Sequence, residues 1–574
     1  MAKRTIKKNG QKYGGTPKAD IITVTAKKNT TVSGAGGNDT ITVKKGSKHT
    51  ITGAAGNDKI TVSKGSGHKI YGAAGKDTII VKAATGSKIY GDDAKGKIAG
   101  SDKITISGGK KNTIYGGKGA DTITVNGGSS TIYGGKGNDV FVIGKNSTGK
   151  ATVMDLRAGA GNLDKVKISG GAVKNIKASG NNRIITGGQS AQLTLKGAKP
   201  YKFIVADIDG EYTVSSSSID MTLKKNYTGS YYAPSFVNNI DASFVKSEIT
   251  TIRGNAKNNR IKAAWVDGGT YQGGAGNDTI TVVAGNGHRI YGEDESGTSK
   301  GNDVITVTGG NDHTIWGQYG DDSITVRNGT DHDIKGNEGN DTISVTGGQS
   351  HEISGGDGND RITLEYVKGN GVQADGDGYS VYNKTVTSVR AGDGNDTITV
   401  NNSSNLRVYG EDGIDTINVS NSNSVYIQPY GDCGNVTVTS CKDTWIDLPS
   451  TAGNNVNRVT ISGTGNDVTI DQSYSARDII TVNWSNSFGK LYIDTARLGG
   501  TQYIDTLKIN ASISDFNFYR DKSHMDLYIE GKRGGSIFID GFHVSDNQTS
   551  FINGITFNDG RTFGYTRYDK LSEK

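Results

Sequence analysis

The sequence predicts an all-β chain, a right-handed parallel β-roll or β-helix solenoid of about 19-residue coils closed by an aromatic-rich β cap at the C-terminus. Three observations carry this. The phrase Gly-Gly-x-Gly-Asn-Asp-Thr-Ile-Thr-Val recurs, with a clean copy at Gly273–Val282, and most steps between copies are 19 residues. The run after each copy alternates aliphatic and hydroxyl residues, the period of a strand. Sustained i, i+3, i+4 apolar patterns with helix caps are nearly absent. For 574 residues the length prior is about four ordinary domains, but a fixed repeat overrides it. An apolar share of 33% suits a thin solenoid better than a thick core, and 85 Gly with 5 Pro is far from a collagen pattern.

One coil shows the logic. In Gly273–Val282 the glycines permit the positive φ of a tight turn. Asp278 then stands where the turn enters a strand, in which Ile280 and Val282 face inward and Thr279 and Thr281 outward. A second strand, Gly287–Gly292, turns Ile290 and His288 inward and Arg289 and Tyr291 outward.

Taken in order, residues 1–199 form a first array. It opens with a degenerate copy ending at Asp20 and contains one 25-residue step at the insert Gly91–Ser101. Asp164 follows Asp139 by a further 25 residues and Asn182 stands 18 beyond that, so degenerate coils are expected to about residue 199. Residues 200–252 lose the phrase and gain aromatics, and read as an irregular bridge or as coils without metal. The second array, 253–420, opens with Asn259 in place of Asp. It has a 25-residue step with the acidic insert Glu293, Asp294, Glu295, and a 36-residue step from Asp360 to Asp396 that reads as two turns with one phrase lost. Residues 421–500 form a degenerate solenoid with one full turn phrase, Gly463–Asp467. Residues 501–574 read as the cap, with Phe516, Phe518, Tyr519, Phe538, Phe542, Phe551 and Phe557.

Stacking the coils brings the aspartates into a column at about the 4.8 Å strand spacing, where uncompensated carboxylates repel. A hard divalent cation between coils resolves this, since Ca²⁺ takes six to eight oxygens from carboxylates and carbonyls together. The competing reading is a turn that uses Asp only to bond its own backbone. Thirteen aspartates in register favour calcium. The candidate ligand positions in the first array are Gly34, Gly37 and Asp39, then Gly53, Gly56 and Asp58, then Gly72, Gly75 and Asp77. Asp102 follows, with Gly116, Gly119 and Asp121, and Gly134, Gly137 and Asp139. In the second array they are Gly273, Gly276 and Asp278, then Asp303, then Gly317, Gly320 and Asp322. Gly336, Gly339 and Asp341 come next, with Gly355, Gly358 and Asp360, Gly394 and Asp396, and Gly410, Gly413 and Asp415.

The phrase closely resembles the RTX (hemolysin-type) calcium-binding repeat, GGxGxDxUx, with Gly134–Val142 and Gly355–Thr363 as direct matches. The resemblance covers roughly residues 15–165 and 254–420. It implies a parallel β-roll that sandwiches multiple Ca²⁺ ions and folds on meeting calcium outside the cell. Asp505–Phe563 resembles the hemolysin-type C-terminal module. Together these imply export by the type I secretion machinery to the extracellular space or a bacterial cell surface, with a secretion-signal region in residues 501–574. Three features depart from the family. The other turn of each coil lacks the phrase, so calcium is expected along one edge only. The first 120 residues are basic, and no catalytic domain precedes the repeats.

Other columns have their own chemistry. His49 and His68, and His288, His313, His332 and His351, recur on the edge away from the aspartates. Replacement by Asn112 and Ser130 favours a polar ladder over a Zn²⁺ site. Tyr71, Tyr90, Tyr115, Tyr133, Tyr291, Trp316 and Tyr409 form an outward aromatic stripe suited to glycan or protein contact, or simply to strands. Thr-x-Thr rungs admit an ice-binding reading, which ranks low because Thr is an ordinary strand residue.

Residues 1–120 carry 23 Lys and Arg against 7 Asp and Glu, a net of +16, so the chain's +7 leaves −9 for residues 121–574. The basic part could attract anionic glycans; a solvated lysine face explains it more simply, and nucleic acid is not favoured. No run approaches about 18 apolar residues, so no transmembrane segment is expected. The start MAKRTIKKNGQKYGG lacks the apolar region of a conventional signal peptide. Cys433 and Cys441 exclude a disulfide framework and leave one small loop or two thiols open. Neither H-E-x-x-H nor a strand-to-helix G-x-S-x-G is present, so no catalytic residue or organic cofactor is expected. The sequence thus predicts a calcium-binding structural or adhesive solenoid; the alternative is a polysaccharide-acting β-helix enzyme.

Overall fold

The computed structural model describes residues 2–93, 95, 98–156, 164–198, 202–246, 248–264, 266–296, 299–369, 386–431, 433–448, 456–471, 477–494, 505–520, 526–540, 552–563 and 572–573. It is all-β apart from one 3-10 turn at Ile513–Asp515, and the architecture is a parallel β-solenoid. The chain divides into two compact units. One comprises Met1–Tyr227 with Ala233–Phe244, and the other Thr228–Tyr232 with Val245–Lys574.

In the first unit each coil lays one strand on each of two sheets. Strands such as Thr40–Val43, Lys59–Val62 and Thr78–Val81 pair in parallel with Ile41, Ile60 and Ile79 in register, and the column continues through Ile104 and Ile123 to Phe141. On the facing sheet Ile51, Ile70, Ile89, Ile114 and Ile132 form the matching column. All are buried, while their alternate neighbours are half-buried or exposed. The alternation is what a strand with one buried face requires, and a slip of one residue would expose the entire column.

The expectation of degenerate coils to about residue 199 gives way to antiparallel structure. Asn175–Ser179, Asn182–Gly187 and Ala191–Leu195 form a meander whose last strand rejoins the parallel sheet beside Lys150–Val153. The physical reason is the pair Gly180-Asn181, a two-residue hairpin turn with Gly180 at φ +59°. Phe203–Ala206, Gly210–Val214 and Ile219–Leu223 form a second meander before Asn239–Ala242 resumes parallel pairing.

In the second unit the column Ile261, Ile280, Ile305, Ile324, Ile343, Ile362, Ile398, Ile417 is buried on one sheet. The 36-residue step is one coil and not two. Glu352–Asp357 pairs directly with Thr387–Asp393, and Arg361–Glu365 with Thr397–Asn401, so the extra length lies in one loop, mostly residues 370–385, outside the described residues. The C-terminal end closes with antiparallel strands Phe516–Arg520, Leu527–Gly531 and Ser536–Asp540. Trp484, Phe488, Phe516, Phe518, Phe557 and Phe563 pack as an aromatic cluster there, with Phe518 stacked on Phe563 at 4.5 Å. Phe542 and Phe551, expected in this cap, lie outside the described residues. Cys441 is a buried free thiol.

Because each coil touches only its neighbours, one lost aliphatic group opens a cavity between three rungs. Ile324→Ala should destabilise the second unit by about 3 kcal/mol. The measurement is its denaturant midpoint, and a shift within error of zero would contradict the packing described.

Candidate metal centre

Each coil passes from one sheet to the other through the glycine-rich phrase, and the aspartate ending that phrase is buried on this edge. A specific bond draws it in. Its Oδ1 accepts the backbone N–H of the counterpart one coil earlier. Asp39 accepts from Asp20, Asp58 from Asp39 and Asp77 from Asp58, each at 2.7 Å, and Asp102 from Asp77 and Asp121 from Asp102 at 2.8 Å. In the second unit the same bond joins Asp278, Asp303, Asp322, Asp341, Asp360, Asp396 and Asp415 in sequence at 2.6–2.9 Å.

The second carboxylate oxygen is left over. Oδ2 is buried without a hydrogen-bond partner in Asp39, Asp58, Asp77, Asp102, Asp121, Asp278, Asp303, Asp322, Asp341, Asp360, Asp396 and Asp415. Native interiors rarely leave a polar atom in that condition. The first glycine of the phrase makes room for it. A Cβ on Gly336 would lie 2.1 Å from Asp341 Oδ2 and 2.4 Å from the carbonyl oxygen of Gly355 in the next coil, and Gly34 stands in the same relation to Asp39 and Gly53. The leftover oxygen and a main-chain carbonyl therefore face one small space over a bare Cα. Ala391 fills this position in the coil of Asp396, which narrows that cradle. The third glycine is fixed by conformation: Gly37, Gly56, Gly75, Gly119, Gly137, Gly276, Gly320, Gly339, Gly358, Gly394 and Gly413 hold φ between +83° and +139°.

Burial, with neighbouring carboxylates adding to it, pushes these acids far above the ordinary carboxylate range. Asp58, Asp77, Asp360 and Asp415 rise to about 7, and Asp121, Asp278 and Asp322 to about 8. Asp102, Asp303, Asp341 and Asp396 rise to about 6, chiefly through burial. The donors on this edge are oxygens, from carboxylates and carbonyls, the set a hard cation takes. Among the described residues no three His, Cys, Asp or Glu side chains converge as a metal cluster. The edge offers one carboxylate per coil with glycine carbonyls around it, and those residues fit calcium.

Asp20, Asp164, Asn259, Asn457 and Asp478 extend the ladder beyond the candidate ligands. Asp139 N–H donates to Asp164, Asn259 N–H to Asp278, and the Asn457 amide to Asp478. Asp20 differs, because Thr16 and Ala2 satisfy both its oxygens and hold its carboxyl below the usual range. The Asn of the phrase also has a role that the sequence reading left unassigned. Asn38 and Asn57 accept from the N–H one coil later, as do Asn340 and Asn359, so this exposed ladder runs opposite to the aspartate one. The phrase at Gly463–Asp467 lies on the other edge. Asn466 there accepts from Cys441 N–H, and Asp467 is exposed outside the ladder.

The other edge bonds its own backbone at most rungs, although Nε2 of His68 and of His351 and the Ser130 hydroxyl are buried without a hydrogen-bond partner. His288, His313, His332 and His351 stack at 4.8–5.0 Å. Each Nδ1 accepts a backbone N–H from the previous coil, and Nε2–H of His288, His313 and His332 donates to the carbonyl four residues before it. Both ring nitrogens are committed to backbone there, which leaves no lone pair for a metal and bears out the polar-ladder reading. Burial depresses His68, His313, His332 and His351 to about 4.

The fold and the carboxylate edge define a calcium-type β-roll. The family described as RTX calcium-binding nonapeptide repeat matches this chain in 4 copies, over residues 106–142, 298–332 and 352–365. The chain carries RTX calcium-binding repeats. The matches do not extend to the C-terminal module expected at 505–563. Comparison with curated proteins gave no match.

The two edges titrate in opposite senses. The histidines, depressed from 6.5, contribute fully above pH 6.5 and lose that contribution as the pH falls toward 4. The aspartates, raised from 3.8, contribute to metal-free stability below pH 4 and lose it as the pH climbs through 6 to 8. Between about pH 6.5 and 8.5 the histidines no longer change, and the buried carboxylates do, Glu293 at about 9 with the aspartates. In chelator the thermal midpoint should fall across that window, and in calcium it should not, because a bound dication favours the charged form. Equal slopes with and without calcium would contradict this account of the edge.

Proposed function

We propose that this chain is a secreted or cell-surface calcium-dependent solenoid with a structural or adhesive role, its Ca²⁺ ions held between stacked turns by the aspartates and glycines of the phrase. The observation that carries the reading is the column of buried carboxylate oxygens without hydrogen-bond partners. A bare column of charge is costly, and a calcium ion shared between adjacent coils gives each leftover oxygen a ligand role. The chain's own part is to present those oxygens at the coil spacing and to exclude side-chain bulk from the first glycine position. Type I export and an extracellular setting go with the RTX repeats. No helix among the described residues is long and apolar enough to cross a membrane.

The adhesive part is supported by the faces. Tyr71, Tyr90, Tyr115 and Tyr133 stack in one row at 4.7–5.0 Å, with Lys69 and Lys88 exposed beside them. Half-buried rings beside cations suit glycans or an anionic surface. A polysaccharide-acting reading has one feature in its favour, a cavity of about 460 Å³ lined by Tyr232, Thr251, Arg253, Gln272, Asp294, Glu295 and Ser296. Arg253 there is already paired with Asp294 at 2.6 Å.

Excess EGTA should abolish most of the β-sheet circular dichroism signal and readdition of calcium should restore it; an unchanged spectrum would overturn the calcium reading. On a glycan array the wild-type chain should bind and the double variant Tyr90→Ala/Tyr115→Ala should lose at least ~tenfold in signal. Release of reducing or unsaturated sugar ends from the same glycans would instead establish the enzyme reading.

A further inference from the structure

Two of the three 25-residue coils, those that end at Asp102 and Asp303, are built alike in a way that the ordinary coils are not. In each, the residue after the first glycine is an acid, Asp92 in the first unit and Glu293 in the second, where neighbouring coils place Ala73 and Gly117, or Gly274 and Gln318. At this position the ordinary coils hold φ between +71° and +123°, as Ala73, Gly117, Gly274, Gln318 and Glu411 do. Asp92 and Glu293 are absent from the positive-φ residues. The consequence shows in a direct contrast. Glu411, at the same repeat position with φ +71°, points outward and pairs with Arg390 at 2.7 Å. Asp92 and Glu293 are instead 1% and 0% exposed.

Their contacts match in the two units. One carboxylate oxygen accepts the N–H of the second residue after the next coil's first glycine: Asp92 Oδ2 from Lys118 at 2.6 Å, and Glu293 Oε2 from Tyr319 at 3.4 Å. The other oxygen, Asp92 Oδ1 or Glu293 Oε1, is buried with no hydrogen-bond partner. Around Gly100 the position of an added Cβ lies 2.2 Å from the Gly75 carbonyl oxygen, 3.1 Å from Asp102 Oδ1 and 3.3 Å from Asp92 Oδ1. Gly301 has the Gly276 carbonyl oxygen at 2.1 Å and Asp303 Oδ1 at 3.2 Å in the same arrangement. The charges of Asp303 and Asp322 act on Glu293, and that of Asp92 on Asp77, Asp102 and Asp121, which places each inserted acid beside the ladder. Lys118 partly offsets the charge at Asp92; at Glu293 the corresponding residue is the neutral Tyr319.

We propose that each of these two coils forms a distinct divalent-cation site, in which the inserted carboxylate, Glu293 or Asp92, joins the edge aspartate of its own coil, Asp303 or Asp102, with glycine carbonyls completing the oxygen set, and that these two sites bind Ca²⁺ more tightly than the ordinary rungs and fill first. The inference rests on the calcium reading above. Affinity at oxygen sites rises with the number of charged ligands, and these coils carry two carboxylates where an ordinary coil carries one. An early-filling site in each unit would give the coils on either side a preformed edge to stack against.

Calcium titration of the full chain by calorimetry, with terbium luminescence excited through tryptophan and tyrosine as a second readout, tests this. The wild-type chain should show a tight class of about two sites before the bulk of binding, and Trp316 and Tyr319 should sensitise the first terbium bound. Glu293→Gln should remove one tight site, or weaken it by at least ~tenfold, and Asp92→Asn the other. Glu293→Asp should retain a carboxylate and most of the affinity. Glu411→Gln, at the same repeat position but outward, should leave the tight class intact, and Asp341→Asn should reduce only the weaker class. If the wild type binds no calcium, the calcium reading itself fails. If it binds calcium in one class that Glu293→Gln and Asp92→Asn do not alter, while circular dichroism shows both variants folded, the calcium reading stands and this inference is overturned. Should the Glu293→Gln or Asp92→Asn variant fail to fold, loss of the tight class in Asp341→Asn would still overturn it.

Discussion

Everything on the glycine-rich edge follows from one hydrogen bond, the backbone N–H of an aspartate donating to Oδ1 of the aspartate one coil later. It is a charge-assisted bond in a dry place, so it holds the carboxylate inward and fixes the coil register at the edge. Holding one oxygen there forces the other to be buried as well. The first glycine is favoured because a Cβ there would press on Oδ2, with Ala391 the exception beside Asp396, and the third because its backbone lies at positive φ against the preceding coil's carbonyl. The glycine spacing, the aspartate and the demand for a cation are thus consequences of a single contact repeated along each unit.

The histidine edge solves the same problem with neutral groups. Its side chains also accept the amide of the previous coil, but for His288, His313 and His332 the second ring nitrogen finds a carbonyl four residues back. Where His is replaced, Ser87 and Thr387 accept the corresponding amide, and Asn112 both accepts it and donates to the Ala84 carbonyl; in the neighbouring column Ser403 accepts from Val367 and Ser422 from Ser403. One edge is therefore satisfied at most rungs by neutral groups, and the other leaves a carboxylate oxygen over at nearly every rung. That asymmetry confines the response to metal and to alkaline pH to one side of each coil.

Much of this was legible in the sequence, because a strand period of two and a coil period of 19 place residues without further information. The parallel sheets, the aspartate column and the polar histidine ladder all follow from spacing. What spacing could not give was anything decided by local conformation. Gly180-Asn181 folds as a hairpin although it continues the count. Gly463–Asp467 carries the full phrase but falls after the wrong strand. Tyr291, expected outward, is buried against Trp316 and close enough to the acidic insert to feel Glu295. The Asn ladder was readable in principle, since Asn precedes Asp in most copies, yet nothing in composition says that its oxygen reaches the next coil.

The faces are where the two units part. In the first, four tyrosines form an unbroken stack. In the second the equivalent row alternates rings with cations, Lys335 over Trp316 and Arg390 over Tyr409 at 4.7 Å. On its other sheet Thr281, Thr306, Thr325, Ser344, Thr363 and Thr399 make a continuous hydroxyl row, but the row beside it is broken by Val304 and Arg361. A flat two-row threonine lattice, which ice binding would need, is not formed. Since the edges are nearly identical in both units and the faces are not, edge chemistry accounts for folding and the faces for whatever distinguishes the units. A stacked ring row offers a planar, sequence-tolerant surface, whereas rings already covered by cations have their faces occupied. The first unit therefore presents an open row of stacked rings, and the second a row whose rings are partly covered by cations.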